Sequence, residues 1–219
     1  MIFANFVPSI PITMVSDAKG ICTKCGGQET VKIYRSINVA SQPELKEEVK
    51  SGALFTWTCP HCGTVNLMRY DTLYHDPDQK LMILLADAGT PLNGTIQDMF
   101  SRDEALQAYT ARFVSEPGEL IEKVKIFDAG LDDMVIELCK YVTVMEMDKD
   151  IKGMKFFRME GADNEITLTY PHNGDMEMIS IGFNVYEDCR GILQRNPAIK
   201  EKTTGLVKID AQWVSQFFR

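Results

Sequence analysis

Four of the six cysteines stand in two matched pairs, Cys22-Thr23-Lys24-Cys25-Gly26 and Cys59-Pro60-His61-Cys62-Gly63. Four thiolates can close a tetrahedral site around one metal ion. Two residues between paired cysteines let the chain double back so that both sulfurs face the ion. The glycine after the second cysteine allows a tight turn that points backbone N–H groups at the sulfurs. The 33 residues from Gly26 to Thr58 separate the pairs, enough for a strand out, an excursion and a strand back. That is the plan of a zinc ribbon. Cys22, Cys25, Cys59 and Cys62 are the predicted ligands of one Zn2+ per chain.

Zinc in an all-thiolate cage is structural, because no coordination position is left for water or substrate. Iron in the same cage would carry one electron, and softness and tetrahedral geometry admit both ions. At its cysteines the chain resembles rubredoxin-like proteins, including the Cys-Pro-x-Cys-Gly of the second pair. Gly27-Gln28-Glu29 lacks the aromatic residue that a rubredoxin places after its first knuckle, and the chain is far longer. Zinc is therefore the first reading and a rubredoxin-like iron electron carrier the second.

The remaining reactive side chains have bland explanations. His61, between two ligands, reads as a solvent-facing knuckle residue. Leu73-Tyr74-His75-Asp76 sets an imidazole beside a carboxylate, which could orient a proton-transfer histidine or a metal ligand; Asp76-Pro77 is also what a turn requires. His172, in Pro171-His172-Asn173-Gly174, reads as a hairpin residue. Cys139 and Cys189 lie on predicted helices with no neighbouring base, so they are expected to be packed, unreactive thiols. Asp132 and Asp133, with Glu119 and Glu122 nearby, suit helix-start electrostatics better than acid/base work. No phosphate-cradling glycine loop, Gly-x-Ser-x-Gly elbow or His-Glu-x-x-His motif occurs, and no catalytic or cofactor-binding residue is assigned.

A chain of 219 residues, 45% hydrophobic and 25% charged, has the composition of an ordinary soluble protein and can bury a substantial core. Prolines at 8 and 11 and the lack of a basic leader argue against a signal peptide or membrane span at the apolar amino terminus. Cysteines at metal spacing without an export signal suit a reducing cytoplasm. The net charge of −8 weighs against bulk nucleic-acid binding, which needs a concentrated basic face. Basic stretches such as Lys123 and Lys125 alternate with acids like Glu122 and read as solvated faces.

These residues must be positioned by elements that the pattern also predicts. Thr30 to Val39 alternates at period two, a half-buried strand. Ser41 to Gly52 has acids and proline early, lysine late and a terminal glycine, a short helix. Leu54–Thr58 and Thr64–Tyr70 form the arms of a hairpin around the second knuckle, and Leu81–Ala86 is an apolar central strand. About four antiparallel strands around the metal are expected. Two helices follow, the first capped by Ser115 with Pro117 in its first turn and Gly130 as stop, the second spanning Leu131 to Met147. Beyond Lys152 three period-two runs predict a meander, then helices over Tyr186–Gln194 and Ala211–Phe218. The expected fold class is α+β: an amino-terminal antiparallel zinc-ribbon sheet, a helical hairpin, and a carboxyl-terminal antiparallel β-meander with flanking helices. The expected divisions are a zinc-ribbon subdomain at 15–87, a linker at 88–104 and an α+β region at 105–219.

Over about 22–147 the chain resembles the CpXC-domain proteins of bacteria and archaea. The resemblance lies in the two cysteine pairs, Ser36-Ile37-Asn38-Val39, Pro43-Glu44-Leu45-Lys46, Leu73-Tyr74-His75-Asp76, Glu119-Leu120-Ile121-Glu122-Lys123 and Ala129-Gly130-Leu131-Asp132-Asp133. Thr23 departs from the proline that the family's name implies. The resemblance implies metal-binding cysteines and no established activity. Together the readings predict a non-catalytic interaction or regulatory module with a protein partner and no membrane association. The alternatives are the iron carrier and an enzyme in the carboxyl half that would need His75, His172 or Cys189 to converge.

Overall fold

The computed structural model describes residues 12–89, 104–147, 151–201, 203 and 205–218. The apolar stretch before Pro8 and most of the expected linker lie outside the described residues. The first strands are β1 (Met14–Ile21) and β2 (Gln28–Asn38), an antiparallel hairpin whose tip is the first cysteine knuckle. The next helix, α1 (Glu44–Ser51), ends at Gly52 with φ 81°, a left-handed conformation that a β-carbon would penalise. A short 3-10 turn leads to β3 (Thr56–Thr58), which pairs with β4 (Val65–Leu67) to make a second hairpin with the second knuckle at its tip.

The expected four-stranded antiparallel sheet around the metal is not what forms. The two hairpins belong to different sheets, because β2 is long enough to run past the knuckle region and pair elsewhere. Its end lies parallel to β5 (Thr72–Asp76), followed by antiparallel β6 (Leu81–Leu85), parallel β7 (Thr110–Val114) and parallel β11 (Leu206–Val207). The resulting six-stranded sheet is mixed, in the order β1-β2-β5-β6-β7-β11. Both β5 and β6 are buried at every residue, so the sheet is covered on both faces. One face carries Ile37, Tyr74, Ile83 and Val114, which share a core with Leu120 and Val124 of a later helix; the other carries Leu73, Met82, Leu84 and Phe113.

Before β7 lies the short helix α2 (Glu104–Gln107). Then α3 (Pro117–Asp128) begins one residue later than the sequence suggests: Glu116 is the N-cap, and Ser115 instead donates its N–H to Glu119 at 2.8 Å. Pro117 takes the first-turn position where a missing N–H costs nothing. At the other end Gly130, φ 71°, sends its N–H to Phe127 and Leu131 sends its own to Ile126, which satisfies the last carbonyls of the helix. Helix α4 (Asp133–Met147) follows directly.

The carboxyl-terminal meander forms as the period-two runs predict: β8 (Lys155–Glu160), β9 (Glu165–His172) and β10 (Asp175–Ile181), antiparallel in the order β10-β9-β8. Helices α5 (Phe183–Gln194), α6 (Pro197–Glu201) and α7 (Ala211–Ser215) flank it. Asp210 caps α7 by accepting from the Trp213 N–H at 2.9 Å. A core of Ile136, Leu138, Phe156, Ile166, Leu168 and Trp213 binds these elements to α4. The described structure is thus α+β, and through β7 and β11 the residues beyond 105 share a sheet with those before 87. Among the described residues no helix is long and apolar enough to cross a membrane.

Candidate metal centre

Each knuckle is built by the same local hydrogen bonds. Cys22 N–H donates to the Gly27 carbonyl at 2.8 Å and Gly26 N–H to that of Cys22 at 3.0 Å; Cys59 and Gly63 do the same with Thr64 and Cys59, at 2.9 Å each. The turns require left-handed backbone at Gly26 and Gly63, φ 71° and 69°, which explains glycine at both places. The two hairpins then meet tip to tip. The side chain of Trp57 lies on Gly20, where a β-carbon would come within 3.1 Å of the indole ring, and the ring of His61 lies on Gly27.

This juxtaposition gathers all four sulfurs within 4.8 Å of one another. Cys22 and Cys62 approach to 3.6 Å, as do Cys25 and Cys59. A tetrahedral ion with metal–sulfur bonds of about 2.3 Å needs sulfur–sulfur separations of about 3.8 Å, so the cage fits an ion of that size. All six cysteines of the chain are free thiols.

The cage is supported from outside. Asn66, buried on β4, accepts the Thr23 N–H at 2.9 Å and the Thr23 hydroxyl at 3.0 Å, and its amide reaches Cys22 Sγ at 3.6 Å and the Thr64 carbonyl at 3.0 Å. Thr23 thereby exploits its difference from proline, which has no N–H to give. Gly27 N–H points at Cys25 Sγ at 3.4 Å, and Thr64 Oγ1 lies 3.3 Å from Cys62 Sγ. Such outer contacts hold ligands in place and favour thiolate. The Cys25 N–H draws the Cys22 thiol down to about 6. Cys25, although Gly27 favours its thiolate, is pushed up to about 12 by the sulfurs of Cys62 and Cys59. Four sulfurs this close could hold a metal ion, which would favour the thiolate form of all four.

A family model described as CpXC protein matches residues 21–140. The chain belongs to the CpXC family. The matched segment holds all four clustered cysteines and ends at Lys140, short of the end of α4. No curated protein and no solved structure matches the chain.

The other candidate residues of this CpXC protein fall elsewhere. His61 is exposed. His75 and Asp76 do not work as a pair, since successive strand residues face opposite ways. Asp76 accepts from Gln79 N–H at 3.2 Å in the turn to β6 and meets Lys46 at 2.8 Å. His75 Nε2 lies 3.2 Å from the Tyr109 hydroxyl while Nδ1 is buried without a partner among the described residues; burial holds the imidazole below its ordinary pKa. His172 pairs with Glu177 at 2.6 Å, and Tyr170 donates to the same carboxylate at 2.7 Å. Cys139 and Cys189 are buried in one core cluster; Cys139 is pushed up by the Cys189 thiol and by burial.

The reading of Glu122 and Lys123 as solvated is overturned: both are buried. They belong to a charge network of three cations and three anions between β7, α3 and α4. Asp133, fully buried, accepts a forked pair of bonds from Arg112 at 2.8 and 2.9 Å and lies 2.9 Å from Lys123 Nζ. Lys140 donates to Glu122 at 2.8 Å and to Glu137 at 2.7 Å. Asp132 alone performs the helix-start role, accepting the Met134 N–H at 2.8 Å. Asn66 was also missed; its only sequence signal is a polar residue between Val65 and Leu67, whose apolar side chains are the ones that face solvent.

Proposed function

We propose that this CpXC protein is a non-catalytic module in which Cys22, Cys25, Cys59 and Cys62 hold one structural Zn2+, and that the ribbon fixed by the ion presents a surface to a protein partner in the cytoplasm. The closed cage carries this reading. Four protein sulfurs fill a tetrahedron, leaving no position for a substrate or an activated water. The ion's contribution is folding free energy, joining hairpins that belong to separate sheets. A protein partner is supported by apolar side chains exposed beside the cage: Ile21 at 58%, Val65 at 61% and Leu67 at 86%. Apolar surface that the fold leaves wet next to a rigid turn is the kind of surface partners cover.

Elemental analysis of protein purified without added metal tests the first step. About one zinc per chain is expected, lost in Cys59→Ser and retained in Cys139→Ser. A red protein containing iron would replace this reading with electron transfer, and a disulfide within either pair would sink both.

A further inference from the structure

Away from the cysteines, α3, α4 and the chain before β8 and before α7 enclose a cavity of about 420 Å3, within the range of small-ligand sites. Its walls are apolar: Phe113, Tyr141, Val144, Ile151, Met154 and Ile209. Its polar groups divide by depth. Glu122, Lys123, Glu137 and Lys140 line it and are buried. Glu122 is engaged by Lys140 and by the Phe156 N–H, both at 2.8 Å. Lys123, in a residue only 3% exposed, meets Asp133 at 2.9 Å and Glu137 at 3.5 Å. An ammonium carries three donors, of which these two carboxylates answer two.

Nearer the mouth the acids are already occupied. Glu116 pairs with Arg69 at 2.5 Å, Glu119 accepts from Ser115, and Asp210 caps α7. Lys208 reaches Ser115 Oγ at 3.0 Å. Lys155 has no carboxylate partner among the described residues. Its Nζ lies 2.7 Å from where a β-carbon on Gly118 would stand, against the first turn of α3. The amino end of a helix presents positive partial charge, so two features of one sign share the mouth of an apolar cavity. An anionic group relieves that arrangement.

We propose that this cavity binds a small amphipathic oxyanion, with its carboxylate or phosphate head at Lys155 and the amino end of α3 and its short apolar tail against Tyr141, Val144 and Met154. Lys123 offers its remaining donor to an oxygen carried deeper. The site joins the family-matched segment to residues beyond 140, and it does not depend on the metal reading.

Calorimetric titration of the full chain with hexanoate, hexyl phosphate and hexan-1-ol tests it, with bound metal measured in the same samples. At least one oxyanion should bind saturably with a Kd between about 10 μM and 1 mM, the tighter of the two naming the head group, and hexan-1-ol should not saturate. Lys155→Glu, at a half-exposed position that tolerates change, should weaken binding by at least about tenfold, while Lys155→Arg should retain it. Val144→Trp should abolish binding by filling the cavity. No saturable binding of either oxyanion, equal binding of hexan-1-ol, or affinity unchanged in Lys155→Glu would overturn the proposal, whatever the metal content.

Discussion

Asn66 touches no ion, yet it spans both knuckles: one side chain serves the Thr23 N–H and hydroxyl, the Cys22 sulfur and the Thr64 carbonyl. Replacing it by alanine removes the acceptor of the Thr23 N–H and hydroxyl, at a cost of about 0.5–1.5 kcal/mol, and releases the first knuckle. Asn66→Ala is expected to lower metal affinity about tenfold to a hundredfold, read by competition with a chromogenic chelator; unchanged affinity would show that the knuckles hold themselves. Asp133 is the second such residue. Asp133→Asn leaves Arg112 and Lys123 buried with too little opposing charge and should destabilise the chain by about 3–5 kcal/mol, measured by urea unfolding. His75 sets a pH dependence. Its folded pKa lies below the unfolded value, so the unfolded state binds more protons and the stability His75 supports is full above about pH 6.5 and falls on acidification through that value. Melting temperatures at pH 7.5 and 5.5 should differ more for the native chain than for His75→Gln.

Among the elements, the β3–β4 hairpin is the one expected to depend most on the proposed metal. It has three residues in each strand and forms a sheet of its own, and a two-stranded hairpin is marginal in water. By contrast β5 and β6 are buried at every residue and flanked by further strands. Removing the metal with a chelator should therefore speed amide exchange in β3, β4 and the knuckle at the tip of β1–β2, while β6, β7 and β9 keep their protection. Equal loss of protection in β9 would mean that the ion stabilises the whole chain rather than two hairpin tips. Helix α3 should matter more broadly, since Leu120 is fully buried against the main sheet; Leu120→Ala is expected to cost about 2–5 kcal/mol without changing metal content.

For the molecule as a whole, the charge of −8 works against phosphate binding. Lys24 and Lys32 are exposed, but Lys32 lies opposite Asp17 in the β1–β2 register, and Arg69 is held by Glu116. Phosphate neutralisation needs several free cations in a row. Gel-shift titration at physiological salt should show no submicromolar binding to duplex or single-stranded nucleic acid. Tight binding that weakened on charge reversal at Lys24 and Arg69 would contradict the expectation of a protein partner.

Local signals in the sequence were sufficient for local structure. Knuckle spacing and the two following glycines predicted the turns at Cys22–Cys25 and Cys59–Cys62, because a tight turn is fixed by a few neighbouring residues and their φ angles. Period-two runs predicted the β8–β9–β10 meander, because strands joined by short turns pair with their chain neighbours. The family resemblance was legible for the same reason, resting on short motifs in a fixed order. Only the tertiary structure decided which distant strands meet: β2 beside β5, β6 beside β7, and β11 on the far edge, parallel pairings whose partners no short-range pattern encodes. It also decided which charges are buried. Glu122 and Lys123 read as solvated in an alternating stretch, and Asp133 as a helix-start acid, because burying a charge is affordable only with an opposite charge in reach. For Asp133 that charge is Arg112, delivered by a strand from across the sheet.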